Sequence, residues 1–423
     1  RDNSTSAHAI TVQGDAYGND FSPYYYANGY WSVFFDGSDN IRFGGTSDES
    51  AFQFGTGEFT IEFFVQLQGA TSSSQYGFFG CIAGFYFQLY EGTLEYHTSS
   101  KDFDISYTPN NNAFVHFAIS RDSSNNLRLW IDGTLTHTVA SHTYNYSTIA
   151  GFQVMDIGTG YAPGRKAKGY LSNFRVVKGS AVYSGTGSIT VPTSPLTAIG
   201  GTTLLACQSN RFLDNSTSGL APTLTGDPKV STNTPFTQSK TANVGSGFFD
   251  GTTDFLTIPQ SSDFLFGTGQ FTIECFVYYT SQTLSANNAI IGQSGFGSVL
   301  QLNSSGYVQY YDQNTSHYPL TGNVAVPLNM WTHIVVQRDS SNNLDLFVNG
   351  TRQDTTGNTT STLGFMADQD LTIHSWNGTA TSNQEYISDV RIVKGSAVYT
   401  SGSSITVPTT TLTSTGSETK LLT

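Results

Sequence analysis

The chain has 423 residues, of which 12% are charged and 13% are aromatic, and its formal net charge at pH 7 is −13. This length suffices for two or more domains, while the shortage of Lys and Arg argues against nucleic acid and against an anionic membrane surface as partners. The sequence lacks the run of about 18 apolar residues that would predict a membrane-spanning helix, and its three cysteines have no paired spacing that would predict a disulfide framework. The polar surface must come mainly from Ser, Thr, Asn and Gly. Together with the many aromatic residues, this composition is typical of β-sheets with long loops.

Four motifs occur twice in chain order, which indicates two copies of one domain. The second copy follows the first by 212 to 217 residues, a period too long for a solenoid repeat. The pairs are FFDG from Phe34 and Phe248, FGTGEFTIEFFV from Phe54 and FGTGQFTIECFV from Phe266, RDSSNNLRLWIDGT from Arg121 and RDSSNNLDLFVNGT from Arg338, and RVVKGSAVY from Arg175 and RIVKGSAVY from Arg391. We therefore expect each copy to form a whole domain.

Local patterns predict β-strands in both copies. Segments such as FTIEFFVQL and FTIECFVYY are dense in β-branched and aromatic residues. Asp132-Gly133 and Asn349-Gly350 each predict a tight hairpin, because both central residues of such a turn need a positive φ. The RVVKGSAVY motif predicts a late strand, a Lys-Gly-Ser turn and a tyrosine that returns to the sheet. Many short strands without a helical period favour a sandwich or a barrel.

The two ends of the chain fall at different points of the repeat. DNSTS at Asp2–Ser6 recurs at Asp214–Ser218, and KLLT at Lys420–Thr423 resembles TLLA at Thr203–Ala206. The chain therefore starts seven residues later in the repeat than it stops. In the middle of the chain, that interval is Cys207–Leu213.

These offsets predict the domain boundaries. We place a first sandwich at residues 1–199, without its first strand, a second at 200–412, and a C-terminal strand at 413–423 that resembles the start of a further repeat. A sheet that lacks a strand leaves backbone groups unpaired along its edge. One hypothesis is therefore that Lys420–Thr423 fills the gap in the first copy, in the same chain or in the next subunit. The alternative is that the sequence is a piece of a longer array of the same repeat, in which case the C-terminal strand simply begins the next copy.

The order of these motifs resembles the concanavalin A-like, laminin-G-like jelly-roll domain, above all the variety found in tail and structural proteins of marine bacteriophages and in bacterial surface proteins. The resemblance covers nearly the whole chain twice. It implies an all-β fold of two tandem concanavalin A-like jelly-roll β-sandwiches, each with two antiparallel sheets packed face to face. The first copy departs from the family at Phe114, where the second copy has the family's Trp331, and either ring suits packing. The function stays open, because lectins, pentraxins, adhesive modules and glucanases share this fold.

Catalysis is not expected. Glucanases of this fold use an E-x-D-x-x-E strand that holds two carboxylates in glycosidase geometry, and this sequence lacks that pattern. Glu58 and Glu62 come nearest, but Glu58 becomes Gln270 in the second copy while Glu62 is kept as Glu274. A lone carboxylate cannot be both acid and base, so we predict a protein that is not an enzyme.

Two Asp-Gly turns carry candidate metal ligands. FDGSD supplies Asp36 and Asp39, and FDGTTD supplies Asp250 and Asp254. The resemblance implies Ca²⁺ as the candidate cofactor, since relatives hold it through Asp, Asn and backbone oxygens. The spacing fixes no third or fourth ligand, so we prefer the simpler interpretation of a tight turn between strands.

Sugar binding needs exposed rings that stack on a pyranose and planar polar groups that fix its hydroxyls. The candidates are Tyr24, Tyr25, Tyr26 and Trp31 in SPYYYANGYW, Tyr161 in GYAPGRKAKGY, and Trp376 and Asn377 in HSWNGTA. For the tyrosine cluster we favour the alternative of interdomain or intersubunit packing, because interfaces also enrich aromatic residues.

These observations favour a non-enzymatic structural and adhesive surface protein. We expect a bacteriophage virion component, such as a fibre, tail or capsid decoration, located on the virion surface or outside the cell. The alternative is a bacterial extracellular adhesin or filament subunit. The expected partners are further copies of the chain or other virion or surface subunits, and a host glycan. Nucleic acid and membrane insertion are not expected.

Overall fold

A computed structural model describes residues 1–48, 50–81, 84–156, 165–239, 241, 244–284, 288–295, 297–357, 359–366 and 368–423. These residues form 34 β-strands and three short 3₁₀ helices but no α-helix, which confirms the expected all-β class. The 3₁₀ helices are Ser50–Phe52, Ser262–Phe264 and Gly416–Glu418. Within the described ranges, no helix has the length and apolar character needed to cross a membrane.

The strands are numbered in chain order. Those before residue 240 are β1 (Thr11–Gln13), β2 (Tyr17–Asn19), β3 (Ser32–Asp36), β4 (Asn40–Asp48), β5 (Phe59–Leu67), β6 (Gln75–Gly80), β7 (Tyr86–Tyr90), β8 (Thr93–His97), β9 (Lys101–Ser106), β10 (Val115–Arg121), β11 (Leu127–Ile131), β12 (Thr134–Val139), β13 (Ala150–Val154), β14 (Lys168–Lys178), β15 (Thr202–Ala206), β16 (Pro222–Thr225) and β17 (Lys229–Ser231). Those after it are β18 (Ser246–Phe249), β19 (Phe255–Ile258), β20 (Leu265–Gly267), β21 (Phe271–Ser281), β22 (Ala289–Gln293), β23 (Val299–Leu302), β24 (Tyr307–Asp312), β25 (His317–Ala325), β26 (Thr332–Arg338), β27 (Leu344–Val348), β28 (Thr351–Thr356), β29 (Leu363–Gly364), β30 (Leu371–Ile373), β31 (Ser375–Trp376), β32 (Thr379–Ala380), β33 (Gln384–Lys394) and β34 (Thr419–Leu422).

The chain folds into two compact units. One unit, the first sandwich, is Tyr26–Ser239, and the other, the second sandwich, is Arg1–Tyr25 together with Lys240–Thr423. The N-terminal segment therefore belongs with the second repeat.

Each sandwich has the same two antiparallel sheets. In the first sandwich the seven-stranded sheet has the order β16-β4-β13-β6-β7-β8-β9, and the eight-stranded sheet has the order β12-β11-β10-β5-β14-β3-β17 with β15 beside β14. In the second sandwich the orders are β1-β19-β30-β22-β23-β24-β25 and β2-β18-β33-β21-β26-β27-β28 with β34 beside β33. The predicted hairpins at Asp132-Gly133 and Asn349-Gly350 join β11 to β12 and β27 to β28, with positive φ at all four residues.

This arrangement divides the chain differently from the predicted boundaries at 199 and 412. The first sandwich does not lack a strand, because β15 pairs with β14, with Phe174 opposite Ala206. Next, β16 and β17 complete its two sheets against β4 and β3. In the second sandwich β1 and β2 make the equivalent pairs with β19 and β18. Each sandwich is thus closed by two strands from the segment that the predicted boundaries assign to the other copy.

The hypothesis that the C-terminal strand fills the first copy of the same chain is wrong. Instead, β34 pairs with β33 of its own repeat. Beside this pair, Asn3 N donates to Leu422 O at 2.7 Å, and Leu422 N donates to Asp2 Oδ1 at 3.0 Å. Asp214 Oδ1 accepts the equivalent bond from Leu205 N in the first sandwich, at 2.9 Å. The strand is satisfied locally, so no gap in the other sandwich is needed to explain it.

The repeated RVVKGSAVY motif binds a buried glutamate in the first sandwich. Arg175 Nε and Nη2 donate to Glu62 Oε1 at 3.0 and 2.6 Å. Tyr183 Oη donates to Glu62 Oε2 at 2.9 Å, and His116 Nε2 lies 3.3 Å from the same oxygen. Burial alone would raise the pKa of Glu62, but the hydrogen bond with His116 and the charge of Arg175 bring it below its ordinary value. The returning tyrosine therefore closes the sandwich through a charged cluster.

The second sandwich contains the same cluster. Arg391 Nε donates to Glu274 Oε1 at 2.8 Å, Tyr399 Oη donates to Oε2 at 2.6 Å, and His333 Nε2 lies 3.1 Å from Oε2. Glu274 and His333 are fully buried. The motif is written twice because each sandwich needs its own arginine and tyrosine on this carboxylate.

Each RDSSNN motif supplies a second buried arginine. Arg121 is fully buried, and its guanidinium donates to the carbonyl oxygens of Gly55, Gly57 and Tyr144. Arg338 makes the equivalent bonds to the carbonyls of Gly267, Gly269 and Ser361. These side chains tie loops to the sheet through backbone acceptors.

Apolar residues of the inner strand faces fill the core of the second sandwich. This core includes Cys275 beside Ile273, Val277 and Ile334. All three cysteines are free and buried, and burial raises the pKa of the Cys275 thiol.

Candidate functional site

The outer face of the seven-stranded sheet in the second sandwich carries polar and aromatic side chains. Successive residues of a strand point to opposite faces. On β23 and β24, the residues Leu300, Leu302, Val308 and Tyr310 belong to the core. The residues between them, and their neighbours on β25, form what we call the polar face. It consists of Gln301, Gln309, Tyr311, Tyr318 and Thr321.

Cross-strand pairing and hydrogen bonds hold the polar face together. Gln309 lies opposite Gln301 on one side and Thr321 on the other. Gln309 Nε2 donates to Thr321 Oγ1 at 3.1 Å, and Gln301 Nε2 donates to Tyr318 Oη at 3.4 Å. The rings of Tyr311 and Tyr318 lie 5.0 Å apart between centroids, and Tyr318 is 47% exposed. Two rings, two amides and a hydroxyl therefore share one surface.

The equivalent face of the first sandwich is a denser ionic network. Gln88 Nε2 donates to Glu95 Oε2 at 2.7 Å, and Arg165 Nη1 donates to Gln88 Oε1 at 2.7 Å. Lys101 Nζ donates to Glu95 Oε1 at 2.7 Å, and His97 Nε2 lies 3.1 Å from Glu95 Oε2. Burial alone would raise the pKa of Glu95, but the hydrogen bonds from Lys101, Gln88 and His97 bring it below its ordinary value.

This network ties the central polar side chains of that face to one another, while Lys101 and Asp104 stay exposed at its edge. Gln88 and Glu95 are buried despite lying on the outer face. The Tyr86 ring stacks on His97 at 4.4 Å, and Arg165 lies 4.5 Å from the centroid of Tyr90. The polar face of the second sandwich differs in having no charged side chain among its five residues, although its Gln301 is also buried, with 7% exposure.

Neither face was predicted from the sequence, although the sequence contains a signal for both. In YFQLYEGTLEYH and VLQLNSSGYVQYYD, polar residues alternate with apolar ones along paired strands. That period of two predicts an outward-facing row. Which rows lie beside each other depends on strand pairing, which the alternation alone does not fix.

The predicted metal ligands of the first sandwich lie beside the turn between its closing strands β16 and β17. Carboxylate oxygens of Asp36, Asp39 and Asp227 lie within 4.8 Å of one another. Asp39 is buried, and it accepts hydrogen bonds from Asp36 N at 2.8 Å and from Asp227 N at 2.9 Å. Burial raises the pKa of Asp39, whereas hydrogen bonds from Ser38 lower that of Asp36.

The second sandwich holds the equivalent cluster of Asp15, Asp250 and Asp254. Asp254 is buried, and it accepts from Asp15 N at 2.8 Å and from Asp250 N at 3.1 Å. In both sandwiches, the buried aspartate (Asp39 or Asp254) thus links the turn between the two closing strands to the end of β3 or β18.

Carboxylate oxygens suit Ca²⁺, but this ion takes six to eight oxygen ligands. Three carboxylates are a partial donor set that would need backbone or water oxygens as well. In the first sandwich Lys229 Nζ lies 3.6 Å from Asp227, and Lys168 is opposite Asp36 across the sheet. At the corresponding positions of the second sandwich stand Tyr17 and Gln384. The second cluster therefore fits a cation better than the first.

Replacing Asp39 with alanine should lower the free energy of unfolding by roughly 2–3 kcal/mol, because the N–H groups of Asp36 and Asp227 lose their buried acceptor. Asp36→Ala is the matched control, since the exposed Asp36 carboxylate accepts hydrogen bonds from Ser38 N and Oγ in its own turn, and we expect a loss of less than about 1 kcal/mol. Urea denaturation measures both. Equal effects of the two substitutions would contradict this role for Asp39.

Two of the residues predicted to contact a sugar, Tyr24 and Trp31, are buried, so that prediction is wrong for them. Tyr24 is 4% exposed, and its ring packs 5.3 Å from that of Phe276. Trp31 is fully buried and donates from Nε1 to Tyr26 O at 3.0 Å. Neither ring is available to stack on a sugar, because aromatic residues in this irregular segment pack inward.

The other candidates stay predictions. Tyr25 and Tyr26 are half-buried. Trp376 is half-buried and donates from Nε1 to Gly297 O at 3.3 Å, while Asn377 is exposed in the turn between β31 and β32, with φ of 59°. Tyr161 lies outside the described residues.

Comparison with solved structures gives distant likenesses. Domains LG4-5 of the mouse laminin α1 chain are 13% identical, with 92% of this chain and 96% of that chain covered and a TM-score of 0.28. Domain 4 of AbnA, a GH43 extracellular arabinanase from Geobacillus stearothermophilus solved with arabinotriose, is 14% identical over 37% of this chain and 73% of that one, with a TM-score of 0.29. The SAP-like pentraxin from Limulus polyphemus is 15% identical over 34% and 75%, with a TM-score of 0.27. Likenesses of this degree concern the fold alone.

The family comparison is more specific. No curated protein sequence matches the chain. Residues 35–181 and 250–397 each match the family model described as the concanavalin A-like lectin/glucanases superfamily, and together they cover more than half of the chain. Both matched segments span the paired motifs and sheets described above, so the chain belongs to the concanavalin A-like lectin/glucanases superfamily, as a tandem of two laminin-G-like jelly rolls.

Proposed function

We propose that the chain binds glycans through the polar face of its second sandwich and does not hydrolyse them. The observation that carries this proposal is the grouping of Tyr311 and Tyr318 with Gln301, Gln309 and Thr321 on one outer surface. Rings give apolar area to a pyranose, while amides and hydroxyls give it directional hydrogen bonds. The family supports a role at glycans, since its description names lectins and glucanases.

Binding without hydrolysis is supported by the state of the carboxylates in both sandwiches. A glycosidase needs one carboxylic acid with a raised pKa as its proton donor. Glu95 and Asp104 oppose each other across β8 and β9, but Lys101 Nζ contacts both, at 2.7 and 3.1 Å. The low pKa of Glu95 makes it a poor proton donor, and Glu62 is enclosed by Arg175. Neither glutamate offers the required acid. In the second sandwich the pKa values of Asp312 and Glu385 are raised, but both side chains are fully buried and out of reach of a sugar on the polar face.

A glycan array followed by calorimetry tests the proposal. We expect wild-type protein to bind a subset of glycans and Tyr318→Ala to weaken binding at least about fivefold, because a stacked ring is lost. Gln301→Ala should weaken the same glycans, while Tyr17→Ala, which removes an equally exposed tyrosine (52% against 47%) from the other sheet, should leave them unchanged. Array binding that ignores Tyr318 and Gln301, or no binding at all, would contradict the proposal.

The array should be run with and without EDTA. If Ca²⁺ occupies the cluster of Asp15, Asp250 and Asp254, chelation will lower thermal stability and Asp250→Asn will abolish that effect. Asp36→Asn, which alters the cluster of the first sandwich, should then leave the loss of thermal stability on chelation unchanged. This comparison assigns the ion to one of the two sandwiches.

We further propose that the chain works outside a cell, as an adhesive component of a bacteriophage particle, such as a fibre, tail or capsid decoration. Its low content of charged residues and its two domains of a lectin-containing family support a role on the surface of a particle, where subunits pack together and contact other molecules. A bacterial adhesin or filament subunit is the second candidate. Antibodies to the chain should label purified virions under the first proposal and the bacterial surface under the second.

A further inference from the structure

Tyr307 continues the outer surface of the second sandwich beyond the polar face, at the start of β24. Half-buried and buried residues alternate strictly along this strand, and Val308 and Tyr310 belong to the core. Tyr307, Gln309 and Tyr311 therefore point to the same outer surface. From the first of these residues to the last, four residue steps along a strand span about 13 Å. That span is longer than one pyranose ring, so both tyrosines are reached only by a chain of linked sugars.

Polar groups lie between the two tyrosines. Gln309 is opposite Gln301 on β23 and Thr321 on β25, and neighbouring strands are about 4.8 Å apart. One amide hydrogen of Gln309 is donated to Thr321 Oγ1, at 3.1 Å. Among the described residues, no group donates to the amide oxygen of Gln309. A neutral amide both donates and accepts, which suits the hydroxyl groups of a sugar.

The first sandwich has different residues at these three positions, on β8. They are Thr93, Glu95 and His97. The equivalence follows from the pairing of each middle residue with a glutamine, Gln88 or Gln301, on the preceding strand. Both tyrosines are thus missing from β8, and the Glu95 carboxylate that replaces the amide accepts from Lys101 Nζ at 2.7 Å. The arrangement of two rings around an uncharged amide is therefore specific to the second sandwich.

The charges around the polar face favour an uncharged ligand. At its edge, the Asp354 carboxylate accepts from Thr321 N at 2.7 Å, while the Arg352 guanidinium turns to Asp345 of the other sheet, at 3.7 Å. His317, at the start of β25, has its Nδ1 3.2 Å from a carbonyl oxygen of its own turn. The whole chain has a net charge of −13, which repels polyanions. A sulfated or uronic chain would lose hydration here without gaining an ion pair from the five residues of the polar face.

We propose that the second sandwich selects a chain of linked, uncharged sugars, which lies along β24. One sugar stacks on Tyr307, another stacks on the pair of Tyr311 and Tyr318, whose rings are 5.0 Å apart, and Gln309 bonds hydroxyl groups between them. The protein has one such site per chain, because β8 of the first sandwich lacks both rings. This inference rests on the proposed glycan binding and adds the class of sugar, its direction and the number of sites.

Calorimetric titration of the full chain with neutral gluco-, galacto- and manno-oligosaccharides, from monosaccharide to tetrasaccharide, tests the proposal. The uronic acid forms of the same sugars are the charged counterparts. We expect one site per chain and an affinity that rises at least about tenfold from monosaccharide to tetrasaccharide, because the second ring is reached. Added salt should leave this affinity unchanged, since no charges are paired. The uronic forms should bind at least about tenfold more weakly.

The matched variants are Tyr307→Thr and Tyr307→Phe. Tyr307→Thr copies Thr93, which occupies the same strand position in the first sandwich, so the fold tolerates it. This variant should weaken tetrasaccharide binding at least about fivefold and leave monosaccharide binding unchanged, because only the distant stacking ring is lost. Tyr307→Phe keeps the ring and should bind both sugars like the wild type.

Four results would overturn the proposal. They are equal affinity for monosaccharide and tetrasaccharide, binding of the uronic forms as tight as that of the neutral chains, unchanged tetrasaccharide binding by Tyr307→Thr, and no binding of any neutral chain. Where Tyr318→Ala still weakens binding to sugars on the array, glycan binding stands and only the choice of sugar is wrong. Where Tyr318→Ala changes nothing, the proposed function itself fails, and this inference fails with it.

Discussion

Replacing Glu274 with alanine should lower the free energy of unfolding by about 3–5 kcal/mol, because the buried Arg391 guanidinium loses its carboxylate partner. Both groups are enclosed: Glu274 is fully buried, and the side chain of Arg391 is 6% exposed. The substitution also removes the acceptor of Tyr399 Oη, which brings the end of the repeated motif back to the sheet. The effect should exceed that of any exposed substitution in this chain.

Denaturant unfolding followed by tryptophan fluorescence measures this loss. Glu62→Ala should give a loss of similar size in the first sandwich, since Arg175, His116 and Tyr183 surround Glu62 in the same way. Glu58→Gln is the matched control, because the second repeat has Gln270 at that position, and it should change stability by less than about 0.5 kcal/mol. A loss below about 1 kcal/mol for Glu274→Ala would show that the cluster does not hold the sandwich together.

Replacing Glu385 with glutamine should stabilise the protein at neutral pH. Glu385 is fully buried, the Tyr279 hydroxyl is the neighbouring group that can hydrogen-bond its carboxylate, and burial raises its pKa to about 8. His374 Nε2 lies 3.4 Å away, but burial lowers the pKa of His374, so this ring is neutral near pH 7. The folded chain therefore keeps Glu385 protonated where the unfolded chain releases the proton.

The sign of the pH dependence follows from that raised pKa. The stability associated with protonated Glu385 is fully present below the unfolded pKa of about 4.5 and is lost as pH rises through about 8. At pH 7, Glu385→Gln should raise the free energy of unfolding by roughly 3 kcal/mol and should remove that slope. Unfolding at pH 5, 6, 7 and 8 measures the effect, with the exposed Glu91→Gln as control. A parallel pH profile for wild type and Glu385→Gln would contradict the protonated state.

Much of the fold follows from local sequence. Asp132-Gly133 and Asn349-Gly350 predict their hairpins because few other residue pairs accept a positive φ twice in succession. The doubled motifs predict two equal sandwiches because each carries its own Glu-Arg-Tyr cluster. The strand and turn assigned to RVVKGSAVY are confirmed by the pairing of β14 and the contact of Tyr183 with Glu62.

The closing strands could not be assigned in the same way. The segments ITVQGDAYGN and PTLTGDPKVS are short and equivalent, so either would pair with the edge of either sandwich. Only the pairing of β1 with β19 and of β16 with β4 decides between them. Local pattern determines that a strand forms, but tertiary pairing determines which sandwich receives it.

The candidate site was predictable only in part. Asp39 and Asp254 were identified from their turns, but their third partners, Asp227 and Asp15, come from these closing segments far along the chain. Tyr24 and Trp31 were misplaced because an irregular aromatic segment gives no period that separates inward from outward rings. Gln301 and Tyr318 belong to different strands, and only the sheet register brings them together.

The central claim, that this chain binds sugars and leaves them intact, is tested most directly by one mass measurement. Oligosaccharides selected on the array would be incubated with the protein for a day, separated from it, and analysed together with the retained fraction by mass spectrometry. We expect the retained sugars to keep their starting mass and Tyr318→Ala to retain much less of them. Shortened or unsaturated products from wild-type protein, or equal retention by Tyr318→Ala, would contradict it.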